Sequence, residues 1–271
     1  MNSDVYFAMG QTHRVCQDYA TVCADGHVAL ADGCSTSKHT DIGARLLCRL
    51  ASTRGPGEAV REAHAHLSAF RLPTSCLDAT ILTAGPTKDG LDIEAFMTGD
   101  GIIVGRKRGG GYTLFLSEFP SGAPRYASYD LDPARRTQYL VEFGGVHRVT
   151  RIDDGITVAV DEHEIEDADV SPFTTSFAVL DYDVVLLLSD GAMSFHRPGA
   201  TSDLREHVPC TEIVKEMLNI KSFVGDFIVR RCRFFFKEAA KRGWVHDDDF
   251  SVAAIYIGDV QPPTTTAMGR P

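Results

Sequence analysis

Two apolar runs in the sequence close on an acidic residue followed by glycine: "VVLLLSDG" at 184–191 ends on Asp190-Gly191, and "HVALADG" at 27–33 ends on Asp32-Gly33. A third run, "DDDFSVAAIYI" at 247–257, reverses the order and places Asp247, Asp248 and Asp249 at the mouth of the apolar stretch. Carboxylates brought together repel one another, so they must take up protons or share cations. A ligand set made only of oxygen favours hard ions such as Mg²⁺ or Mn²⁺. Glycine directly after Asp32 and Asp190 lets the backbone turn tightly, so that a carbonyl can face the same ion.

The elements that must hold these side chains are short. Runs of four to eight β-branched-rich residues bounded by Gly and Asp read as strands buried on both faces. Residues 5–9 and 19–24 read as strands, and "ADGH" at 24–27 reads as a two-residue hairpin turn on Asp25-Gly26. That turn pairs 24 with 27, sets 19 opposite 32 and 18 opposite 33, and so puts Asp18 beside Asp32. "STSKHTDIGARLLCRLAST" at 35–53 starts with capping residues and carries Ile42, Leu46, Leu47 and Leu50 on one helical stripe; a second helix is expected over 57–70. Strands follow in "LDATILTAG", "LDIEAFMTG", "GIIVGRKR" and "YTLFLS", with Gly109–Gly111 as a hairpin tip. From 117 to about 175 the pattern is looser, with strand-like pieces at 138–143, 146–152 and 156–160 and an acidic solvated loop at 161–169. Strands at 176–180 and 184–189 precede helices over 210–242, where Ile228, Cys232, Phe235 and Ala239 share a core-facing stripe. The order fits mostly antiparallel sheets covered by helices better than an alternating βαβ wheel.

Composition narrows the function classes. With 271 residues and a formal charge of −10, the chain is unsuited to neutralising nucleic-acid phosphates, and the clusters Arg106-Lys107-Arg108 and Arg230-Arg231-Arg233 read as solvated faces. Seven cysteines, odd in number and lacking any C-x-x-C pair, read as reduced thiols rather than structural zinc ligands. There is neither a signal-peptide pattern nor a membrane-length apolar run, so a cytoplasmic protein is expected. The segment 261–271, rich in Pro and Thr, reads as a disordered tail.

Six motifs occur together in one order: "QDYA" at 17–20, "ADGCS" at 31–35, "DATIL" at 78–82, "GDG" at 99–101, "SDGAMSF" at 189–195 and "DDFSVAAI" at 248–255. Their order and approximate spacing resemble the type 2C metal-dependent protein phosphatases, across nearly the whole chain. The resemblance implies an α+β fold, a sandwich of two mostly antiparallel β-sheets flanked by helices, over a phosphatase-like domain at 1–260. It further implies two divalent cations, Mn²⁺ or Mg²⁺, with an optional third. Asp32 matches the bridging carboxylate and Gly33 offers a carbonyl to the second ion. Asp190 and Asp248 match the ligands completing the first site, Asp18 the acid that holds a metal-bound water, and Asp100 the acid of the third ion. Two cations about 4 Å apart can make hydroxide from a shared water and neutralise phosphoryl charge during in-line attack.

The departures from the family pattern are as specific. Its leading Arg-x-x-x-Glu-Asp reads here as His13, Gln17 and Asp18, so that His13, when protonated, or Arg14, through a local bulge, is left to grip phosphate. Gln17 in place of Glu removes a charge from the expected metal centre, and Cys34 stands where many relatives have a His able to protonate the leaving group, which leaves metal-bound water or His39 to serve instead. The expected function is a metal-dependent serine/threonine phosphatase acting as a monomer on phosphoserine or phosphothreonine proteins, with no nucleic acid or membrane partner. A non-catalytic binding module and a small-molecule phosphohydrolase are the alternatives.

Overall fold

The computed structural model describes residues 1–167, 171–199 and 205–259, so the tail expected at 261–271 and the end of the domain expected at 1–260 lie outside the described residues. In chain order the elements are β1 (Asn2–Ala8), β2 (Asp18–Val22), β3 (Val28–Gly33), α1 (Thr40–Arg54), α2 (Pro56–Ala69), β4 (Ala79–Pro86), β5 (Asp92–Thr98), β6 (Gly101–Lys107) and β7 (Tyr112–Glu118). They continue with α3 (Pro133–Phe143), β8 (Val146–Asp153), β9 (Ile156–Glu164), β10 (Phe173–Ala178), β11 (Tyr182–Leu188), β12 (Phe195–Pro198), β13 (Arg205–His207), α4 (Cys210–Leu218), α5 (Phe227–Lys241), β14 (Val245–His246) and β15 (Phe250–Tyr256). Seven strands form one sheet in the order β1-β15-β11-β6-β7-β8-β9, and five form another in the order β10-β5-β4-β3-β2. A small third sheet, β13-β12-β14, lies outside the pair.

Strand alternation divides the apolar residues among three layers of core. Leu30, Leu82, Met97, Ile103, Val185, Leu187, Ala253 and Ile255 pack between the two large sheets. Their neighbours in sequence point outward: Ala29, Ala31 and Ile81 meet α1 and α2, while Leu186, Leu188, Val252 and Ala254 meet α4 and α5. Both faces of the central strands are therefore buried, which is why β3 and β11 read as continuous apolar runs rather than as an alternating pattern. The result is the expected α+β sandwich. No helix among the described residues is long and apolar enough to cross a membrane.

Several local expectations are corrected. Residues 138–143 are not a strand but the second half of α3, whose start is fixed by Asp132: its carboxylate accepts hydrogen bonds from the N–H groups of Ala134 and Arg135, with Pro133 in the first turn. Residues 161–164 belong to the exposed edge strand β9 rather than to a loop. In α1 the buried face is Ala44, Leu47, Cys48 and Ala51, and Ile42 is exposed; its N-cap is His39, in a left-handed conformation (φ 61) with no side-chain cap. The basic clusters are partly structural. Arg106 donates two hydrogen bonds of 2.8 Å to Asp183, Arg108 donates to the Val179 carbonyl, and buried Arg231 pairs with Glu216.

Candidate metal centre

The β2–β3 hairpin pairs Asp18 directly with Asp32. The turn is one residue longer than expected, because Cys23 N–H donates to the His27 carbonyl and leaves Ala24-Asp25-Gly26 as the loop. The register moves by one, and the two aspartates face each other instead of lying diagonally. Residues directly opposite in an antiparallel pair share a face. Across β3, Asp32 also pairs with Thr80 of β4, whose hydroxyl donates to Asp100 at 2.7 Å.

The other sheet delivers its carboxylates to the same edge. β11 pairs with β15, and just past the pairing Ser189 N–H donates to the Ser251 carbonyl while Ser251 N–H donates to the Ser189 hydroxyl. That hydroxyl donates in turn to Asp18 at 2.8 Å, a buried bond that ties the two sheets together. Asp190 opens the short 3₁₀ turn that follows, and a side chain at Gly191 would put its Cβ 1.7 Å from the Asp249 carbonyl oxygen. Only glycine lets this turn press against the start of β15. Asp100 occupies the turn from β5 to β6, where the chain passes from one sheet to the other; preceding Gly99 has φ 93, and a Cβ there would lie 2.5 Å from the Thr80 hydroxyl.

Asp32, Gly33, Asp100, Asp190 and Asp248 together line a cavity of about 390 Å³, whose wall also includes Cys34, Ser35 and Thr36. Among the described residues that line it there is neither Lys nor Arg. Asp18 sits beneath this floor, 1% exposed. Burial, above all, raises the pKa of Asp18, Asp32, Asp100 and Asp190 above the usual carboxylate range, and the charges of neighbouring aspartates push the same way. Asp18 Oδ1 and Asp190 Oδ1 are buried without a hydrogen-bond partner. No three His, Cys, Asp or Glu side chains among the described residues are drawn up around one point as a finished ligand cage. Like charges, oxygen-only donors and orphaned oxygens are nonetheless the chemistry that a hard divalent cation relieves. Asp32, Asp190 and Asp248, with Asp100 and the Gly33 carbonyl, could hold one.

This electrostatic strain sets a pH dependence. Across the window from the ordinary 3.8 up to about 7 for Asp18 and Asp100, the folded chain retains protons that the unfolded chain has released. Stability is then lost as pH rises through that window. In EDTA the melting temperature is expected to fall between about pH 5 and pH 8, and Mn²⁺ should flatten that slope by replacing protons with charge. Thermal melts at both pH values, with and without the ion, check this; an unchanged slope in Mn²⁺ would argue against a cation at the carboxylates.

The remaining candidates sort themselves by contact. Asp249 is 1% exposed and accepts hydrogen bonds from Gly10 N–H (2.7 Å) and Gln17 N–H (2.5 Å), whereas Asp248 lies on the cavity. His13 is not among the cavity residues. Its ring lies 3.4 Å from Asp248 and 3.1 Å from Asp249, the latter at an angle short of a hydrogen bond. Burial works against the imidazolium, but contact with Asp249 and the charges of Asp249, Asp248 and Asp18 prevail and raise its pKa. The Gln17 side-chain NH₂ donates to the Cys34 carbonyl and the Thr40 hydroxyl. Through these bonds it braces the loop after Gly33. His39 and Arg14 are exposed.

One residue of this region was given no role from the sequence. Asp78, 1% exposed just before β4, accepts hydrogen bonds from Ser37 (2.7 Å), Ser128 (2.7 Å) and Arg135 (3.0 and 2.7 Å). Asp78 opens the motif "DATIL" at 78–82, but that motif gave it no role of its own.

Solved structures similar to this chain in fold include bacterial phosphatases. A bacterial serine phosphatase superposes with a TM-score of 0.54 at 12% identity, covering 97% of this chain and 100% of that one. The serine/threonine phosphatase of S. agalactiae gives 0.52 at 14% identity (94% and 98% covered), and that of Mycobacterium tuberculosis 0.51 at 14% (94% and 97%). The chain shares the fold of these bacterial phosphatases. No protein-family model and no curated protein sequence matches it. The likeness to the phosphatase fold therefore lies in architecture, while the chemistry has to be argued from the carboxylates.

Proposed function

We propose that the protein is a phosphomonoester hydrolase dependent on divalent cations, Mn²⁺ or Mg²⁺, and that its substrates are phosphorylated proteins. The observation that supports this is the gathering of Asp32, Asp100, Asp190 and Asp248 from four separate chain segments around one cavity lined by no basic residue. In this reading Asp32, the Gly33 carbonyl, Asp190 and Asp248 hold two cations, and Asp100 serves an optional third. When bound, the cations supply charge against the phosphoryl oxygens and acidify water. Asp18, fixed by Ser189, is the proton acceptor at its free Oδ1. His13 positions Asp248 rather than touching phosphate, which departs from the phosphate grip considered for it above. The names of the structural neighbours suggest phosphoserine or phosphothreonine as the side chain.

The absence of Arg and Lys from the described cavity wall favours one second reading, a phosphatase-like module that binds without hydrolysing. A chromogenic aryl phosphate incubated with Mn²⁺ and then with excess EDTA separates the two. Turnover that needs the cation and ceases on chelation is expected. Undiminished turnover in EDTA would sink the proposal, and no turnover under either condition would favour the binding module.

A further inference from the structure

Against a formal charge of −10, one face of the molecule is basic. Spacings of three and four residues put Arg230, Arg233, Phe234 and Lys237 on one outward stripe of α5, away from its core-facing side. Beside this stripe, the segment that joins α4 to α5 leaves a groove of about 420 Å³. Its lining sets the cations Lys221 and Arg230 among the apolar groups Ile220, Phe227 and Phe234. Phe234 is 55% exposed, with the Arg231 guanidinium 5.3 Å from its ring. Among the described residues, no carboxylate lies within ion-pair distance of Lys221, Arg230 or Arg233, and Asp226, the exposed acid at the start of α5, does not line the groove. The groove is held in shape. Arg230 donates to the Ser222 and Val224 carbonyls at 3.3 and 2.7 Å, Phe223 stacks on Tyr256 with centroids 3.8 Å apart, and Asn2 donates to the Phe223 carbonyl at 2.6 Å.

Tyr256 ends β15 and Asp248 precedes its start, so a strand's length of about 20 Å separates this groove from the carboxylates. A ligand held here leaves their cavity open. Exposed apolar surface set among unpaired cations fits an acidic partner with an apolar anchor. The acidity of the remaining surface decides how large that partner is. A nucleic acid or an anionic membrane extends past the groove and meets a molecule of like charge, whereas a short acidic segment meets the groove alone. We infer that this groove docks an acidic protein segment, with an apolar side chain seated against Ile220 and Phe234 and flanking carboxylates on Lys221, Arg230 and Arg233. Docking here is independent of the chemistry proposed for the cavity.

Fluorescence anisotropy on the full chain tests it, with a labelled peptide whose central leucine is flanked on both sides by glutamates. EDTA is present so that no cation in the cavity attracts the peptide. Saturable binding is expected, weakening severalfold as salt rises from about 50 to about 300 mM. Lys221→Glu should weaken it about tenfold. Phe234→Ala should weaken the leucine peptide about fivefold and leave unchanged one with glycine in its place. Both side chains are exposed, so neither variant disturbs the core. No saturable binding, or an affinity unchanged in both variants, would overturn the inference, and a loss confined to Lys221→Glu would overturn the apolar anchor. Tighter binding of a single-stranded oligonucleotide of equal charge, or of phosphatidylserine vesicles, would likewise overturn it and assign the groove to a nucleic acid or a membrane.

Discussion

Asp190→Ala is expected to lower turnover of a phosphomonoester in saturating Mn²⁺ by about a hundredfold or more, while leaving the metal-free protein as stable as before or more so. The first half follows from what a cation contributes to phosphoryl transfer, several kcal/mol of charge stabilisation that is lost with its ligand. The second half follows from the site's own electrostatics. Half-buried Asp190, raised in pKa first by desolvation and then by Asp248 and Asp18, with a buried Oδ1 lacking any partner, costs the folded chain free energy when no cation is present. Removing it relieves that cost, the trade between stability and activity common at functional sites. Steady-state kinetics in Mn²⁺ and urea unfolding in EDTA measure the two halves. A variant that loses activity and stability together would make Asp190 a structural residue instead.

The adjacent pair at the start of β15 should divide in the opposite sense. Asp249→Ala is expected to destabilise the fold by about 3 kcal/mol or more, because the buried N–H of Gly10 and the partly buried N–H of Gln17 lose their acceptor and His13 loses a neighbouring charge. Asp248→Ala, at a side chain 42% exposed, should cost under about 1 kcal/mol yet weaken Mn²⁺ binding. Unfolding in EDTA and Mn²⁺ titration of both variants decide the matter, and equal destabilisation by both would contradict the division of roles.

Residues whose neighbours are local were legible in the sequence. Asp18 and Asp32 could be brought together because a hairpin turn is read from the residues that form it, and the error of one position arose because Asp-Gly suits loops of two residues and of three. The layers were legible for a similar reason, since strands buried on both faces announce themselves as unbroken apolar runs. What failed depended on distant chain. The direction of Gln17 is decided by Thr40 at the start of α1, and Asp78 collects donors 41, 50 and 57 residues away. No spacing rule reports such partners. The helix α3 is a different case: Asp132-Pro133 was a usable start signal, overlooked because the residues after it include several with strand preference.

The pairing of β15 between β1 and β11 bears on the order in which the protein is made. Among the described residues β1 has no hydrogen-bonded neighbour in its own sheet except β15, so it waits unpaired until residues 250–256 emerge, and Asp248 arrives only just ahead of them. A nascent chain can close the β2–β3–β4–β5 meander early, since those strands are consecutive, but it holds Asp18 and Asp32 without their counterparts from the other layer. Any chemistry performed by the full set of carboxylates is thus withheld during synthesis and begins only when the sheet containing β15 has closed.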